Sequence, residues 1–250
     1  MTEAQTIEFA IAFQPVVDAA NNAVWAQEAI PVGSSGRNLE ALFVEVGTEG
    51  QLALDSSIRR RTLEIAGKST YSGKLILNVL PVAMESGPQF IAQLLEDAQK
   101  ADIPTDRIFL RISENEIIVD VESFFAAVEE LRFHGINFAI GEFGSGFAGL
   151  NLLADFQPDL VKLDRALVSG IRARGPRQAI VRGVARTCFD LGIDVVVEGV
   201  ETADEYGWFR DEGIDLFQGP LIAKPGFDSF AGDFSLPDGP KCHARQGMRS

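Results

Sequence analysis

Short apolar runs closed by turn residues alternate with longer stretches of helical period along most of this chain, and that alternation limits the fold more than any other feature. The runs are Phe9–Val17, Val24–Ile30, Leu75–Leu80, Ile108–Ile112, Asn137–Glu142, Leu160–Leu163, Asp194–Glu198 and Leu216–Gln218. Helical stretches lie near Leu39–Val46, Leu54–Ala66, Pro88–Ala101, Val121–Phe133, Phe147–Ala154, Pro176–Leu191 and Ala203–Glu212. Within Pro176–Leu191, the residues Ile180, Val181, Val184, Cys188 and Leu191 recur at helical spacings and predict one apolar face. Gly135 and Gly192 each close a helical stretch just before a β-rich run, as a left-handed cap does. Strands that are apolar throughout belong in a parallel sheet covered by helices. About eight such units predict an α/β fold closed into a barrel, with an open sheet as the alternative. No internal repeat is present. The 250-residue length suffices for one such core. After Pro225 the chain turns rich in Gly, Pro and Asp, so a domain over 1–228 is expected, followed by a tail over 229–250 that is disordered at Lys241–Ser250.

Charge narrows the functions. Thirty-six acidic against 22 basic residues give a formal charge of −14, which repels nucleic acid and anionic membranes. A solvated acidic surface is the commoner cause of such an excess; carboxylates gathered around a cation are the other. The cysteines, Cys188 and Cys242, form no CxxC and have no histidine close to Cys188, against a disulfide framework or zinc site and for a reducing compartment. Residues 1–8 are polar and acidic, and no apolar run approaches the roughly 20 residues of a spanning helix. A cytoplasmic location is expected.

In a barrel of this kind, function gathers at the C-terminal ends of the strands. Here those ends carry Glu28, Asn78, Arg111, Glu142, Lys162 with Asp164, Glu198 with Glu201, and Gln218. Any one of them could be an ordinary rim residue. The carboxylates converging there with a lysine and amides point to the outline of an active site.

Ordered motifs carry a more specific signal. They are Gln14-Pro15, Glu28-Ala29-Ile30, Asn78-Val79-Leu80-Pro81, Arg111-Ile112-Ser113-Glu114, Gly141-Glu142-Phe143-Gly144-Ser145-Gly146-Phe147, Val161-Lys162-Leu163-Asp164-Arg165, Val197-Glu198-Gly199-Val200-Glu201-Thr202 and Gln218-Gly219-Pro220. From about Phe9 to Pro225 the chain resembles the EAL-domain family, the bacterial cyclic di-GMP phosphodiesterases. The resemblance implies a TIM-like (β/α)8 barrel with one antiparallel strand. It also implies Glu28 and Asn78 as ligands of a first metal, Glu142 near a second, Lys162 beside the attacking water and Glu198 as the base. Gln14, Glu28, Ile30, Glu201 and Gln218 would contact ligand. Phosphodiester hydrolysis at neutral pH commonly uses two metals roughly 3.5–4 Å apart, and Mg²⁺ or Mn²⁺ demands several hard oxygen donors in near-octahedral array.

Three positions depart from the family. Arg111 stands where the family has a ligating Glu, Gly141 where it has the Asp that binds the metals, and Val32 where it has the Arg that clamps a substrate phosphate. A guanidinium roughly 4 Å from a dication costs on the order of 8 kcal/mol at an effective dielectric near 20, an upper bound because the side chain can swing away. Gly141 offers no donor. Glu142 cannot stand in for two ligands, so the retained ligands Glu28, Asn78 and Glu142 are expected to be vestigial and unoccupied, with Glu198 and Lys162 catalytically silent. Arg111 either pairs with Glu28, Glu142 or Glu198 or points to solvent; the internal pair satisfies carboxylates that otherwise repel one another.

Three functions follow. The first is a non-catalytic regulatory module in cyclic di-GMP-related signalling that acts on a protein partner, needs no cofactor, and dimerises, if at all, through the Gly144–Leu150 loop. Those glycines equally well only make a turn. The second is a metal-independent cyclic di-GMP receptor, weakened by Val32 unless Arg37 or another residue compensates. The third is a phosphodiesterase with unusual Mg²⁺ or Mn²⁺ ligation.

Overall fold

The computed structural model describes residues 7–34, 36–146, 149–227, 230 and 232–237. Its strands fall within a residue or two of most of the apolar runs, though β2 extends three residues past its run: β1 Phe9–Asp18, β2 Ala23–Gly33, β3 Lys74–Asn78, β4 Ile108–Ser113, β5 Asn137–Phe143, β6 Leu160–Leu163, β7 Asp194–Val197, β8 Leu216–Phe217 and a short β9 Gly226–Phe227. β2 to β8 pair in sequence order, each parallel to the next. β1 closes the barrel by pairing antiparallel with both β2 and β8. A tight turn forces that orientation, because a short link cannot carry the chain back to a parallel start. In it Asp18 Oδ1 accepts from the N–H groups of Ala20 and Asn21, and Asn22 takes a φ of 50°.

Helices α1 Leu39–Gly67, α2 Pro81–Met84, α3 Pro88–Lys100, α4 Val121–Phe133, α5 Gly149–Phe156, α6 Arg165–Val168, α7 Gly175–Leu191 and α8 Ala203–Asp211 join the strands. α1 contains the two helices expected from the pattern, separated at Gly47, whose φ of 63° and ψ of 176° break the helix. The four-residue α2 and α6 are too short to show a period. On α7 the buried stripe is narrower than expected: Val181, Val184 and Cys188 are buried, whereas Ile180 and Leu191 are exposed. Positions 181, 184 and 188 suffice to cover the sheet, and 180 and 191 fall on the flank. Gly192 and Gly135 take φ of 75° and 85° behind α7 and α4.

Packing continues past the expected boundary at 228. The Phe230 ring lies 4.3 Å from Phe13 and 4.7 Å from Tyr71, and Phe234 and Leu236 pack on the same core. The expected disordered segment Lys241–Ser250 lies outside the described residues.

Inside the barrel one apolar layer takes a single residue from each of β1 to β8: Val16, Ala26, Ile76, Phe109, Ala139, Leu160, Val196 and Leu216. Side chains alternate across a strand, so the residues two positions further toward the C-terminal mouth point inward as well. On β1, which runs the other way, the equivalent step is two positions back. These residues are Gln14, Glu28, Asn78, Arg111, Gly141, Lys162, Glu198 and Gln218. The period of the strand thus converts eight scattered positions into one polar ring above an apolar floor.

Candidate functional site

Arg111 occupies the middle of that ring. Its Nη1 donates to Asn78 Oδ1 at 2.7 Å and its Nη2 to Glu142 Oε1 at 3.2 Å, while its Nε lies 3.5 Å from Glu28 Oε1. The side chain is 11% exposed. The space it fills exists because position 141 lacks a side chain: a Cβ there would lie 2.0 Å from Nε and 2.3 Å from Cζ. The two departures at 111 and 141 are therefore one structural change.

Lys162 forms the second cationic centre. It is fully buried, with Nζ 2.5 Å from Glu28 Oε2 and 3.2 Å from Glu198 Oε2. Gln218 donates to the same Glu28 oxygen at 2.7 Å and lies 3.4 Å from Gln14 Oε1. Burial opposes the charge on Glu28, but the Lys162 ammonium, then Arg111 and the hydrogen bonds, hold its carboxyl below the usual range. Glu198 pairs with Lys162 and not with the guanidinium.

Glu142 reaches the site by breaking the alternation. It follows Gly141 on β5, so regular pleating would turn it away. The β5–β6 register shifts between Ile140 and Phe143, and Glu142 takes a φ of 57°. A left-handed non-glycine residue costs on the order of 1 kcal/mol. The rotated carboxylate accepts from Ser113 Oγ at 2.5 Å and Asn115 Nδ2 at 3.2 Å as well as from Arg111. Burial works against ionisation of Glu142, but Ser113, Arg111 and Asn115 together hold its pKa below the ordinary value.

The ring opens into a cavity of about 540 Å³ lined by Gln14, Glu28, Ile30, Asn78, Arg111, Glu142 and Glu198 on the barrel side, with Leu39, Phe43, Asp55 and Ile58 of α1 and Glu116 of the β4–α4 loop on the other. Lys162 and Gln218 sit behind that wall. Glu201 is drawn elsewhere, 2.6 Å from Arg165 Nη2 and outside the cavity lining. Val32 lines a different groove with Phe9, Gly36 and Phe227, and Arg37 pairs with Glu45. Neither faces the cavity. Asp164 caps α6 through Ala166 N, and Thr202 caps α8 in a reciprocal box with Glu205.

Residues that sequence reasoning missed also shape the site. Glu114 Oε2 accepts from Gly144 N at 2.6 Å and Gly146 N at 3.4 Å, which ties the β4 end to the loop after β5. Residues 147 and 148 of the Gly144–Leu150 loop, through which any dimer was expected to form, lie outside the described residues. Asp55, in the cavity wall, pairs with Arg59, a buried acid–base pair at helical spacing that the sequence displays plainly. Glu116 has one enclosed carboxylate oxygen with no hydrogen-bond donor, and burial pushes its pKa up to about 7 against the pull of Arg111.

The donors a divalent ion would need converge instead on a guanidinium. Hard-cation sites require several unshared oxygens, and here the Asn78 oxygen and one oxygen each of Glu28 and Glu142 face Arg111. Among the described residues no group of three or more His, Cys, Asp or Glu is placed to hold a metal. As arranged, the site does not fit a two-metal centre.

The model of the EAL domain matches residues 2–225. The blue light- and temperature-regulated antirepressor BluF of Escherichia coli is 34% identical over 221 residues, covering 88% of this chain and 55% of BluF. A Klebsiella pneumoniae BlrP1 structure, a calcium and cyclic di-GMP complex, superposes with a TM-score of 0.84 at 34% identity over 89% of this chain and 57% of BlrP1. A standalone EAL protein of Vibrio cholerae O395 in its cyclic di-GMP-bound form superposes with a TM-score of 0.85 at 33% identity, over 92% of this chain and 96% of that one. The chain thus spans little more than half the length of BluF and BlrP1. Among the described residues no helix is long and apolar enough to cross a membrane. The chain belongs to the EAL domain family.

Proposed function

We propose that this chain is a non-catalytic EAL module that acts in cyclic di-GMP-related signalling by contact with a protein partner. The observation that carries the reading is the Arg111 guanidinium lodged among Glu28, Asn78 and Glu142 in the space left by Gly141. The site supplies its own cation, so Lys162 and Glu198 hold an ion pair at the barrel mouth and have no metal-bound water to act upon. BluF, named an antirepressor, is a relative whose described role is regulatory, which supports a protein partner for this chain. A cytoplasmic setting accords with such a role.

A second reading is metal-independent binding of cyclic di-GMP. It is favoured by the open 540 Å³ cavity and by a BlrP1 structure that holds cyclic di-GMP without metal ions, at 29% identity and a TM-score of 0.76. Against it, Val32 and Arg37 both lie away from the cavity, and the arginine that lines it, Arg111, is already engaged with Asn78, Glu142 and Glu28. Glu40 adds negative charge at the cavity wall, as does Glu116 above its pKa of about 7, around an already anionic ligand. Calorimetry with cyclic di-GMP, with and without Mn²⁺, combined with an assay of its hydrolysis, separates the readings. No hydrolysis and no binding tighter than micromolar supports the regulatory module; a nanomolar isotherm supports the receptor; metal-dependent turnover restores the enzyme.

A further inference from the structure

The loop from β4 to α4 presents an apolar edge to solvent. Ile117 is 79% exposed, Val119 77% and Val121 54%, while Ile118 between them packs inward on the core. The edge is held in place: Val119 N donates to Glu85 Oε1 at 2.8 Å. That contact anchors the loop to the end of α2, where Val82, also exposed, lies one turn before Glu85. Scattered exposed apolar residues need no explanation, but a fixed cluster of aliphatic residues beside a site mouth marks a contact surface.

Charge identifies what covers it. Every charged residue in 79–99 and in 112–131 is acidic; these stretches hold α2, this loop and all but the C-terminal ends of α3 and α4, where Lys100 and Arg132 stand. Glu85, Asp120 and Glu122 border the apolar edge, and Glu116, next to Ile117, turns into the cavity with an oxygen that no donor reaches. A second copy of this face would meet it with like charge, and an anionic lipid surface would be repelled. Resting on the protein-contact function above, we propose that this edge docks a basic amphipathic segment of a partner protein. Its aliphatic residues cover Ile117, Val119 and Val121, and a lysine or arginine reaches Glu116 at the cavity mouth.

The test uses a synthetic Leu/Lys amphipathic helix as probe and the same helix with Glu in place of Lys as control. Amide shift mapping on the full chain is expected to place the Leu/Lys helix on residues 114–122 and on α2. Affinity is expected to fall about tenfold when salt rises from 50 mM to 500 mM, because rim charges are screened. The double substitution Ile117→Ser, Val119→Ser is expected to weaken binding about tenfold, the equivalent of about 1.4 kcal/mol. Both positions are exposed, so the variant should retain its melting temperature, and Glu116→Gln supplies an independent arm with the apolar edge intact. Shifts scattered over the acidic surface, unchanged affinity in either variant, equal binding of the Leu/Glu helix, or a concentration-dependent dimer that the serine variant abolishes would each overturn the proposal. Cyclic di-GMP hydrolysis measured on the same sample keeps the two questions apart: absence of turnover without helix binding defeats the docking surface and leaves the non-catalytic reading standing.

Discussion

Substituting Gly141 by alanine tests whether the arginine at 111 and the glycine at 141 are one device. Gly141 sits within β5 with no left-handed φ, so alanine is conformationally acceptable there. The new methyl would lie 2.0 Å from Arg111 Nε and 2.3 Å from Cζ, so the guanidinium must leave. It would surrender the Asn78 bond at 2.7 Å, the Glu142 bond at 3.2 Å and its proximity to Glu28. Hydrogen bonds to charged groups contribute about 1.5–3 kcal/mol each, and partial relaxation recovers some of that. A net loss of about 3 kcal/mol is expected. At about 2–4 °C per kcal/mol for a chain of this size, the melting temperature should fall by about 6–12 °C. The informative comparison is the same change in an Arg111→Ala background, where nothing remains to collide with. There Gly141→Ala should cost less than about 0.5 kcal/mol, giving a coupling of about 2–3 kcal/mol in urea unfolding of the four proteins. Equal costs in both backgrounds would refute the reasoning, whatever their size.

Other expectations concern the neighbouring charges. Lys162→Met leaves Glu28 buried without its main partner and should lower unfolding free energy by about 3–5 kcal/mol; a loss below about 1 kcal/mol would argue that the pair is not stabilising. Glu116, with a folded pKa near 7 against 4.5, binds more protons folded than unfolded between those values. Stability should therefore decline as pH rises from about 4.5 to 7. Glu116→Gln should raise the melting temperature at pH 8, have little effect at pH 4, and flatten the slope between; an unchanged slope counts against the assignment. Millimolar Mg²⁺ or Mn²⁺ should leave the melting temperature within about 1 °C, since a ligand stabilises only the state it binds. A rise of several degrees would show a native metal site.

The barrel was legible in the sequence because its strands are short, apolar and separated by helical stretches, and because their inward alternation lands on polar residues at one end. One antiparallel strand was expected from family resemblance alone, since periodicity carries no information on strand direction, and the structure identifies it as β1. Site membership was read less evenly. Glu28, Asn78, Arg111, Lys162, Glu198 and Gln218 share the phase of the ring, so position along the strand locates them. Glu142 does not share that phase and reaches the site through a bulge that residue types do not reveal. Glu201 and Val32 stand beside recognisable motifs, yet one follows Arg165 and the other faces a separate groove. Glu116 escaped notice because its burial depends on the β4–α4 loop and α1 sharing one cavity wall, a tertiary matter. The fit between Arg111 and Gly141 was also hidden: the sequence shows two losses, and only the folded barrel shows that one makes room for the other.

The most direct test is hydrolysis of cyclic di-GMP by the native chain at saturating manganese. With a guanidinium seated among Glu28, Asn78 and Glu142, no turnover above the uncatalysed background is expected. Manganese-dependent turnover that disappears in Glu198→Gln would contradict the account, because it would require metals and an activated water where Arg111 now lies.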